Sequence, residues 1–411
     1  MEAGSSLPEK LQSRCCIAGG GPAGLMLGFL LARAGIGVLV LEKHTDFLRD
    51  FRGVTVHPST LETMHELGLL EELLKRPHQE ISQVRAQIGG EPTLLGDMSY
   101  LRTRCRFMAL MPQWHFLNFL AEHGRTYPTF HLRMRSEVTG LIEENGRIVG
   151  IRGNTSTGPL EIRADLVVGA DGRNSVVREQ SGLAVENIGA SMDSLQVRLS
   201  KHADDPELFL YSDRGKTMVT VNRGDYWHCG FAVPKGTAEK MQARGIEDFR
   251  ASIAEVAPFL CDRVTEVHDW NDVKLLTVRA DRLRKWYRPG LLCIGDAAHA
   301  MSPVGGVGIN LAIQDAVAAA NLLAEPLRRG AVSGNHLAKI QRRRSFPTRL
   351  TQRMQAIIQK QVWRGLDKPQ PARPPWPLLL LERTTLPCRM RTCFIAVGFR
   401  PEHVETPDVY K

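Results

Sequence analysis

Glycines and an acid near the start of the chain have the spacing of a nucleotide-binding turn. Gly19, Gly21 and Gly24 form the pattern G-x-G-x-x-G, and Glu42 follows eighteen residues after Gly24. In such a turn the first glycine permits a tight bend, the second lets the main chain approach a pyrophosphate, and the third lets a helix pack against a strand. The carboxylate at position 42 can accept hydrogen bonds from a ribose. This segment predicts the binding of a dinucleotide that contains ADP.

Two later segments place an aspartate where an apolar run ends. Asp171 follows the run that ends at Gly169, and Asp296 follows the run from Leu291 to Ile294. Ligands bind beyond the carboxyl ends of strands in open α/β sheets, and an aspartate there can accept hydrogen bonds from ligand hydroxyl groups. After Asp296, the glycines between Pro303 and Gly308 free main-chain N–H groups to face an electron-rich atom.

The elements that must position these residues follow from the apolar periodicity. A strand at Cys15–Ala18, a helix over Leu25–Ala34 and a strand at Val38–Leu41 surround the first glycine turn. A second helix is predicted to begin near Ile309, with its positive end directed at whatever the glycines after Pro303 hold. The first unit is thus a strand, a glycine turn, a helix, a strand and an acid.

The rest of the chain predicts further elements of both kinds. Ser59 and Glu62 have the spacing of a capping box for a helix that ends near Gly68. Antiparallel strands are predicted from about residue 184 to 272, including a hairpin around Asn222–Asp225. A meander is predicted with strands near Phe130–Met134, Val138–Glu143 and Arg147–Arg152, and a late helix over Lys339–Lys360 with a break at Pro347.

The three motifs together, in this order, resemble those of the FAD-dependent single-component aromatic hydroxylases, the para-hydroxybenzoate hydroxylase-like monooxygenases. The middle motif D-G-x-x-S-x-x-R is matched at Asp171, Gly172, Ser175 and Arg178, and the resemblance covers the chain from Cys15 to about Leu323. It implies FAD contacts at Gly19, Gly21, Pro22, Ala23, Gly24, Glu42, Lys43, Arg52, Gln113, Asp171, Gly172, Asp296, Pro303, Gly306, Gly308, Ile309 and Asn310.

The fold that this resemblance implies is α/β: an FAD-binding Rossmann-like domain split in sequence, with an inserted β-rich substrate domain and a helical C-terminal tail. The FAD-binding domain is expected at residues 12–76, 105–183 and 273–325. The substrate domain is expected at residues 77–104 and 184–272, and the tail at 326–411.

The activity implied is that of a monooxygenase. NAD(P)H reduces FAD while an aromatic or other electron-rich small molecule is bound, dioxygen adds at the flavin C4a atom, and the hydroperoxide passes one oxygen to the substrate. Pro303 is expected to border the pocket on the reactive side of the flavin. No catalytic residue is assigned, because the acid–base group of the family comes from the variable substrate domain; His228 and Tyr226 are candidates by chemistry alone. No metal site is predicted.

Three alternatives stay open at this point. One is a related flavoprotein such as a halogenase, an epoxidase or a reductase. A halogenase would release a chloride-dependent product, and a reductase would saturate a double bond without consuming oxygen. A non-catalytic FAD-binding protein would bind FAD without NAD(P)H turnover. A nucleic-acid-binding protein is indicated only by the pI of about 9.2, and it would show salt-sensitive binding.

Composition limits the classes further. With 43% hydrophobic and 24% charged residues the chain is globular, and no run of eighteen apolar residues predicts a membrane span. The eight cysteines form no C-x-x-C pair, and the N-terminus lacks a secretory pattern, so a cytoplasmic monomer or homodimer is expected. The net charge of +9 is widely spread, which does not favour nucleic acid.

The basic residues concentrate only near the C-terminus. Residues 326–366 hold ten Lys or Arg and no acid, and Trp376 with Leu378–Leu381 follows. A helix packed on the flavin domain is one interpretation, and weak contact with an anionic membrane surface is the other.

Overall fold

The computed structural model describes residues 7–48, 53–366 and 392–411. Its strands, numbered in chain order, are β1 Glu9–Ala18, β2 Val38–Leu41, β3 Gly53–Val56, β4 Gln79–Ile81, β5 Gln83–Ile88, β6 Glu91–Asp97, β7 Met108–Pro112, β8 Phe130–Arg133, β9 Ser136–Glu144, β10 Arg147–Thr155, β11 Gly158–Gly169, β12 Val185–Asn187, β13 Met192–Ser200, β14 Leu210–Asp213, β15 Lys216–Asn222, β16 Tyr226–Pro234, β17 Lys274–Leu276, β18 Asp281–Leu283, β19 Tyr287–Arg288 and β20 Leu291–Cys293. The helices are α1 Pro22–Arg33, α2 Pro58–Glu66, α3 Leu70–Leu73, α4 Gln113–Gly124, α5 Val176–Gln180, α6 Ala238–Ala243, α7 Ile246–Val256, α8 Gly308–Arg328 and α9 Gly334–Leu366.

The first sheet is built around five parallel strands. Its order is β19-β20-β11-β1-β2-β8, and β20, β11, β1, β2 and β8 all run in the same direction. Helix α1 packs on this sheet, and α4 and α8 pack on α1. The short strands β2 and β20 are buried along their whole length. This layered arrangement is the core of the molecule.

The strand near Phe130 was expected in an antiparallel meander, and that expectation is wrong. β8 pairs in parallel with β2 at the edge of the first sheet, whereas β9 and β10 pair antiparallel with each other and β10 pairs with β11. The apolar residues of β8 are compatible with either partner, and sequence alone does not say which neighbour a short strand chooses.

A second sheet of seven strands lies outside the first, in the order β17-β13-β16-β15-β14-β5-β6. β5 and β6, which come from the segment before residue 105, complete it by parallel pairing of β5 with β14. Helix α7 packs on one face through Phe249 and Ile253. Two small sheets, β3-β7-β4 and β12-β18, join the remaining strands. The predicted fold class is confirmed, while the exact domain boundaries stay a prediction.

Two local predictions are wrong. The structure places His57 at the N-cap of α2 with Pro58 in the first turn, so Ser59 lies inside the helix and the capping box does not form. Pro347 does not end the late helix either, because α9 continues through it over 33 residues. Pro58 costs α2 no hydrogen bond, because the N–H groups of a first helical turn have no partner within the helix. At Pro347, contacts of α9 with neighbouring elements offset the lost hydrogen bond.

Helix α8 is the longest apolar helix of the described residues. The stretch Val304–Arg328 is long and apolar enough to cross a membrane, but 72% of its apolar window is buried inside the molecule. It therefore acts as a core helix between the first sheet and α9.

Candidate cofactor and substrate site

The three motifs meet at one edge of the first sheet. Ala18 of β1 is in register with Gly169 of β11 and with Leu41 of β2, and Gly169 is in register with Cys293 of β20. The strands are parallel, so the residues that follow these four positions all emerge at the carboxyl edge, where open α/β sheets bind ligands. The glycine turn before α1, Glu42, the Asp171 turn and the Asp296 turn are thus neighbours.

The turn before α1 has glycines of two kinds. Gly19 has a φ of +105°, and a Cβ there would lie 2.4 Å from the carbonyl oxygen of Ala170. A Cβ on Gly24 would lie 1.9 Å from the carbonyl oxygen of Gly19. The protein's own packing therefore requires both glycines.

Gly21 differs, because a Cβ there would meet no atom within 4 Å. It is the N-cap of α1 with a φ of −77°, and no side chain of the described residues caps this helix end. Open space before an uncapped helix N-terminus suits a phosphate group. The turn thus fits the pyrophosphate of FAD.

The acid after β2 is held close to this turn. The Glu42 carboxylate accepts hydrogen bonds from the main-chain N–H groups of Gly20, at 3.0 Å, and His44, at 3.1 Å. Lys43 beside it is exposed. These two N–H groups fix the carboxylate at the end of β2. Contacts of Glu42 and Lys43 with FAD stay a prediction.

The middle motif holds its own turn together. Asp171 accepts hydrogen bonds from the Ser175 hydroxyl at 2.5 Å and from the Val177 N–H at 3.1 Å, and Ser175 accepts from the Arg178 N–H at 2.9 Å. Burial raises the pKa of Asp171, and these hydrogen bonds oppose that shift only in part. The open side of the turn is at Gly172, where a Cβ would meet nothing within 4 Å. A cofactor would therefore contact the main chain of this turn.

Arg178 completes the motif by an ion pair. Its guanidinium lies 2.9 Å from Asp281 and donates to the Arg173 carbonyl at 2.6 Å. Arg173 also lies 3.9 Å from Asp296, which is partly exposed at the same edge. The middle and third motifs are thus joined by arginines.

The third motif turns through two glycines with positive φ, +78° at Gly305 and +62° at Gly306. A Cβ on Gly306 would lie 3.0 Å from the Thr55 hydroxyl, so β3 packs closely against the turn. Gly308 and Ile309 begin α8 and are partly exposed, and Pro303 is exposed. The Gly306 N–H donates to the Pro303 carbonyl at 3.0 Å, so the N–H groups open to a ligand are those of the first turn of α8.

Asn310 was expected to contact FAD, but its side chain is fully used inside the protein. Its oxygen accepts from the His57 N–H at 2.9 Å and the Thr60 hydroxyl at 2.7 Å. Its amide donates to the carbonyls of Thr55 at 3.0 Å and Gly306 at 3.2 Å. All four hydrogen-bonding positions are taken. The side chain therefore fixes α8, β3 and α2 to the glycine turn, and a contact of Asn310 with FAD through its main chain stays a prediction.

His57 was not selected from the sequence, yet it lies directly below this turn. Its Nδ1 lies 2.7 Å from the carbonyl of Ile395, and a Cβ on Gly306 would lie 3.7 Å from its Nε2. Burial lowers the pKa of His57 to about 4. A neutral imidazole therefore supports the turn, and the only sequence signal for it was its place before Pro58.

A fully buried chain of charges lies beneath the Asp296 turn. His299 and Arg344 flank Asp315, at 2.5 Å and 2.9 Å, and Asp315 also accepts from the Gly295 N–H at 3.1 Å. Arg344 reaches Glu402 at 3.3 Å. Burial alone would raise the pKa of Asp315, but His299 and Arg344 together lower it. No local sequence pattern predicts this network of charged side chains, because its members are far apart in sequence.

Helix α9 also holds the third motif. Gln355 donates to the carbonyls of Ser302 and Val304, both at 2.8 Å, and Gln359 donates to the Ser302 hydroxyl at 2.6 Å. Gln113 begins α4 beside Pro112, which pairs with Gly53. Arg52 lies outside the described residues.

One face of the second sheet is polar and faces away from α7. Trp227 and Phe231 are buried with α7, while Tyr226 and His228 point to the opposite side. In the sheet, His228 of β16 is paired with Arg198 of β13 on one side and with Val221 of β15 on the other, and Gln196 of β13 is paired with Gly230 of β16. We call these outward positions of β13, β15 and β16 the polar face. Its histidine, arginine and amide side chains can form hydrogen bonds with a substrate.

Acidic and histidine side chains come together once more among the described residues, at His202, Asp204 and Asp205. Asp205 is already paired with Arg263 at 2.7 Å and accepts from the Trp227 indole at 2.7 Å. Its role is therefore structural.

Comparisons with known proteins identify the family of this chain. A family profile described as FAD binding domain matches residues 12–354. The chain is 33% identical over 371 residues to 6-methylpretetramide 4-monooxygenase of Streptomyces rimosus, covering 90% of this chain and 88% of that one. Rifampicin monooxygenase of Streptomyces venezuelae is 30% identical over 313 residues, which are 73% of this chain but only 61% of that longer protein.

Solved structures share the fold. p-Nitrophenol 4-monooxygenase from Pseudomonas putida superimposes with a TM-score of 0.76 at 20% identity, covering 95% of this chain and all (100%) of that one. A probable FAD-dependent monooxygenase from Pseudomonas aeruginosa gives 0.73 at 24% identity, covering 86% and 99%.

Proposed function

The chain belongs to the FAD-dependent aromatic monooxygenases, and on that premise we propose that it hydroxylates a fused-ring aromatic compound, with NAD(P)H as electron donor and dioxygen as oxidant. The observation that carries the choice of substrate is the 33% identity to 6-methylpretetramide 4-monooxygenase, which extends over 90% of this chain and therefore includes the second sheet as well as the FAD-binding part. Another relative, 30% identical over 73% of this chain, is named for 12-dehydrotetracycline and anhydrotetracycline.

The residues of the carboxyl edge have separate tasks in this proposal. FAD supplies the redox chemistry, because it takes electrons from the nicotinamide and activates dioxygen. The N-terminus of α1 binds the pyrophosphate, and Glu42 accepts from the ribose. The N-terminus of α8 stabilises negative charge on the flavin ring. Pro303 borders the substrate, and the polar face orients it and limits water.

Anaerobic reduction of the FAD-loaded enzyme tests the proposal. NADH and NADPH are mixed separately with enzyme, alone and with hydroxylated anthraquinones or single-ring phenols, and flavin absorbance is followed. We expect one nicotinamide to bleach the flavin faster with a fused-ring compound. Faster bleaching only with single-ring phenols would refute the substrate class, and a flavin indifferent to both nicotinamides would refute the electron donor.

We also propose a cytoplasmic monomer or homodimer that contacts anionic membrane surfaces weakly through α9. The exposed residues of α9 recur at intervals of three or four, so they lie on one side of the helix. Two large apolar side chains on this side, Phe346 and Ile357, are 47% and 58% exposed. The exposed cations on this side are Lys339, Arg342, Arg349, Arg353 and Lys360. Such a basic, partly apolar stripe suits an anionic lipid surface. Trp376 and Leu378–Leu381 lie outside the described residues.

Sedimentation with vesicles tests this contact. Wild type is expected to sediment with phosphatidylserine vesicles at low salt and to lose binding in the double variant Arg349→Glu/Arg353→Glu. Arg244→Glu, an exposed change after α6, is the control. Absence of wild-type binding to the vesicles at low salt would refute the membrane contact. Light scattering of the purified protein separately measures its oligomeric state.

A further inference from the structure

Among the described residues, one charged group next to the polar face has a buried donor atom without an acceptor. Arg223 follows β15, and its N–H donates to the Tyr226 carbonyl at 2.9 Å, which places it across the hairpin from Tyr226. Within the described part of the chain, Nη1 of Arg223 is buried and makes no hydrogen bond. A buried N–H of a guanidinium costs free energy unless something accepts from it. Arg223 is therefore a candidate for binding a ligand.

The polar-face side chains of His228 and Gln196 supply no negative charge to Arg223. His228 bonds through Nε2 to Gln196, whose amide donates to the Ser194 hydroxyl at 2.7 Å. Burial, followed by the charges of Arg223 and Arg198, lowers the pKa of His228 to about 4, so this ring is neutral near pH 7. Burial also lowers the pKa of Arg223, which Tyr226 offsets only in part.

The other arginine of the face is engaged differently. The Arg198 guanidinium lies 4.0 Å from the centroid of the Tyr226 ring, and the residue is exposed. A cation over an aromatic face is already stabilised. Arg223 thus combines burial, positive charge and an unused donor.

We propose that Arg223 binds an ionised oxygen of the substrate, a phenolate or enolate, and so selects aromatic substrates that bind as anions. The proposal rests on the proposed function, because it concerns the substrate of that reaction. An anionic oxygen would accept from the unused N–H and neutralise the guanidinium. His228 and Gln196 lie beside it on the same face and would bound the anion site.

Calorimetric titration of the FAD-loaded enzyme with matched probes tests the proposal. The probes are 2-hydroxyanthraquinone, at a pH where it is ionised, and 2-methoxyanthraquinone. Wild type is expected to bind the hydroxy compound about ten- to a hundredfold more tightly, the range of a charge-assisted hydrogen bond. Arg223→Met should abolish this preference, and Arg223→Lys should keep part of it. Arg244→Met, on the exposed end of α6, should keep all of it.

Thermal unfolding separates a ligand role from a structural one. Arg223→Met is expected to raise the Tm of the enzyme without substrate, because it removes a buried charge that nothing compensates. A structural arginine would give the opposite sign. Retained FAD serves as the check of folding in each variant, and Arg223→Lys provides the test if Arg223→Met loses FAD.

The outcomes are separable from those of the proposed function. No wild-type preference for the ionised probe, full preference in Arg223→Met, or complete loss in Arg223→Lys would overturn the role of Arg223. A preference that depends on Arg223 without hydroxylation of any fused-ring compound would leave this role intact and refute the proposed substrate class.

Discussion

At the level of single residues, Gly21 and Gly24 have different reasons to be glycine. Gly24 is needed by the protein, because a Cβ would lie 1.9 Å from a main-chain oxygen. Gly21 is needed only if a ligand fills the open space in front of α1. This difference separates folding from cofactor binding at the same turn.

Gly21→Ala should therefore leave the protein's own stability unchanged while weakening FAD binding at least about tenfold, since the methyl group would occupy the space of the pyrophosphate. Gly24→Ala should lower the stability of the apoprotein by roughly 2 kcal/mol or more. Denaturant unfolding of the apoproteins and titration with FAD measure the two effects. Wild-type FAD affinity in Gly21→Ala would show that no pyrophosphate lies there.

The positions of Gly21 and Asp171 could be singled out from the sequence because glycine spacing and strand ends have a local signature. The side-chain partners of His57 and Asn310 could not be predicted, because they lie far along the chain. Asn310 meets His57 across 253 positions, and His57 meets Ile395 across 338. Side-chain saturation of this kind is visible only once the fold brings the partners together.

At the level of elements, residues in the first two turns of α8 fix this helix to its neighbours. Asn310 ties its first turn to β3 and α2, and Asp315 ties its second turn to His299 and to Arg344 of α9. The Pro347 prediction was wrong for the same reason, since packing of α9 against α8 and the Ser302 turn outweighs the local cost of proline. Local signals located the helices, but long-range contacts decided their ends.

Asn310→Ala is expected to lower the free energy of unfolding by about 2–4 kcal/mol, because buried partners such as the Thr55 carbonyl lose their hydrogen bonds. FAD retention should fall as well, since the glycine turn loses its anchor. Urea unfolding and the flavin-to-protein absorbance ratio measure both. Asn321→Ala is the matched control on the same helix: this half-buried residue donates to the His403 carbonyl and accepts from the Glu405 N–H, both at exposed positions, so its effect should be smaller. Equal losses in the two variants would argue against a special role for position 310.

At the level of the whole molecule, two buried histidines, His57 and His228, are neutral. Burial lowers the pKa of His57 to about 4 from an ordinary value of 6.5, and the pKa of His228 is lowered to about 4 in the same direction. The folded protein thus binds fewer protons than the unfolded chain below pH 6.5. Its stability is complete above that pH and decreases as the pH falls toward 4.

We expect the loss assigned to His57 to be roughly 3 kcal/mol across this pH range. His57→Asn can keep the hydrogen bond to the Ile395 carbonyl but does not titrate, so its stability should change less between pH 6.5 and pH 4 than that of wild type. Urea unfolding at several pH values measures the slope. His268→Asn, whose side chain is 81% exposed, should retain the wild-type slope. An unchanged slope in His57→Asn would contradict the buried neutral state of His57.

We propose that this chain transfers one oxygen atom from dioxygen to an aromatic compound through FAD bound at the carboxyl edge of its first sheet. Turnover of a hydroxylated anthraquinone with NAD(P)H under ¹⁸O₂, followed by mass spectrometry of the product, measures this transfer directly. The predicted product carries one ¹⁸O atom in its new hydroxyl group and forms only with FAD present. A product whose added oxygen comes from water, or substrate consumption without uptake of dioxygen, would contradict the claim.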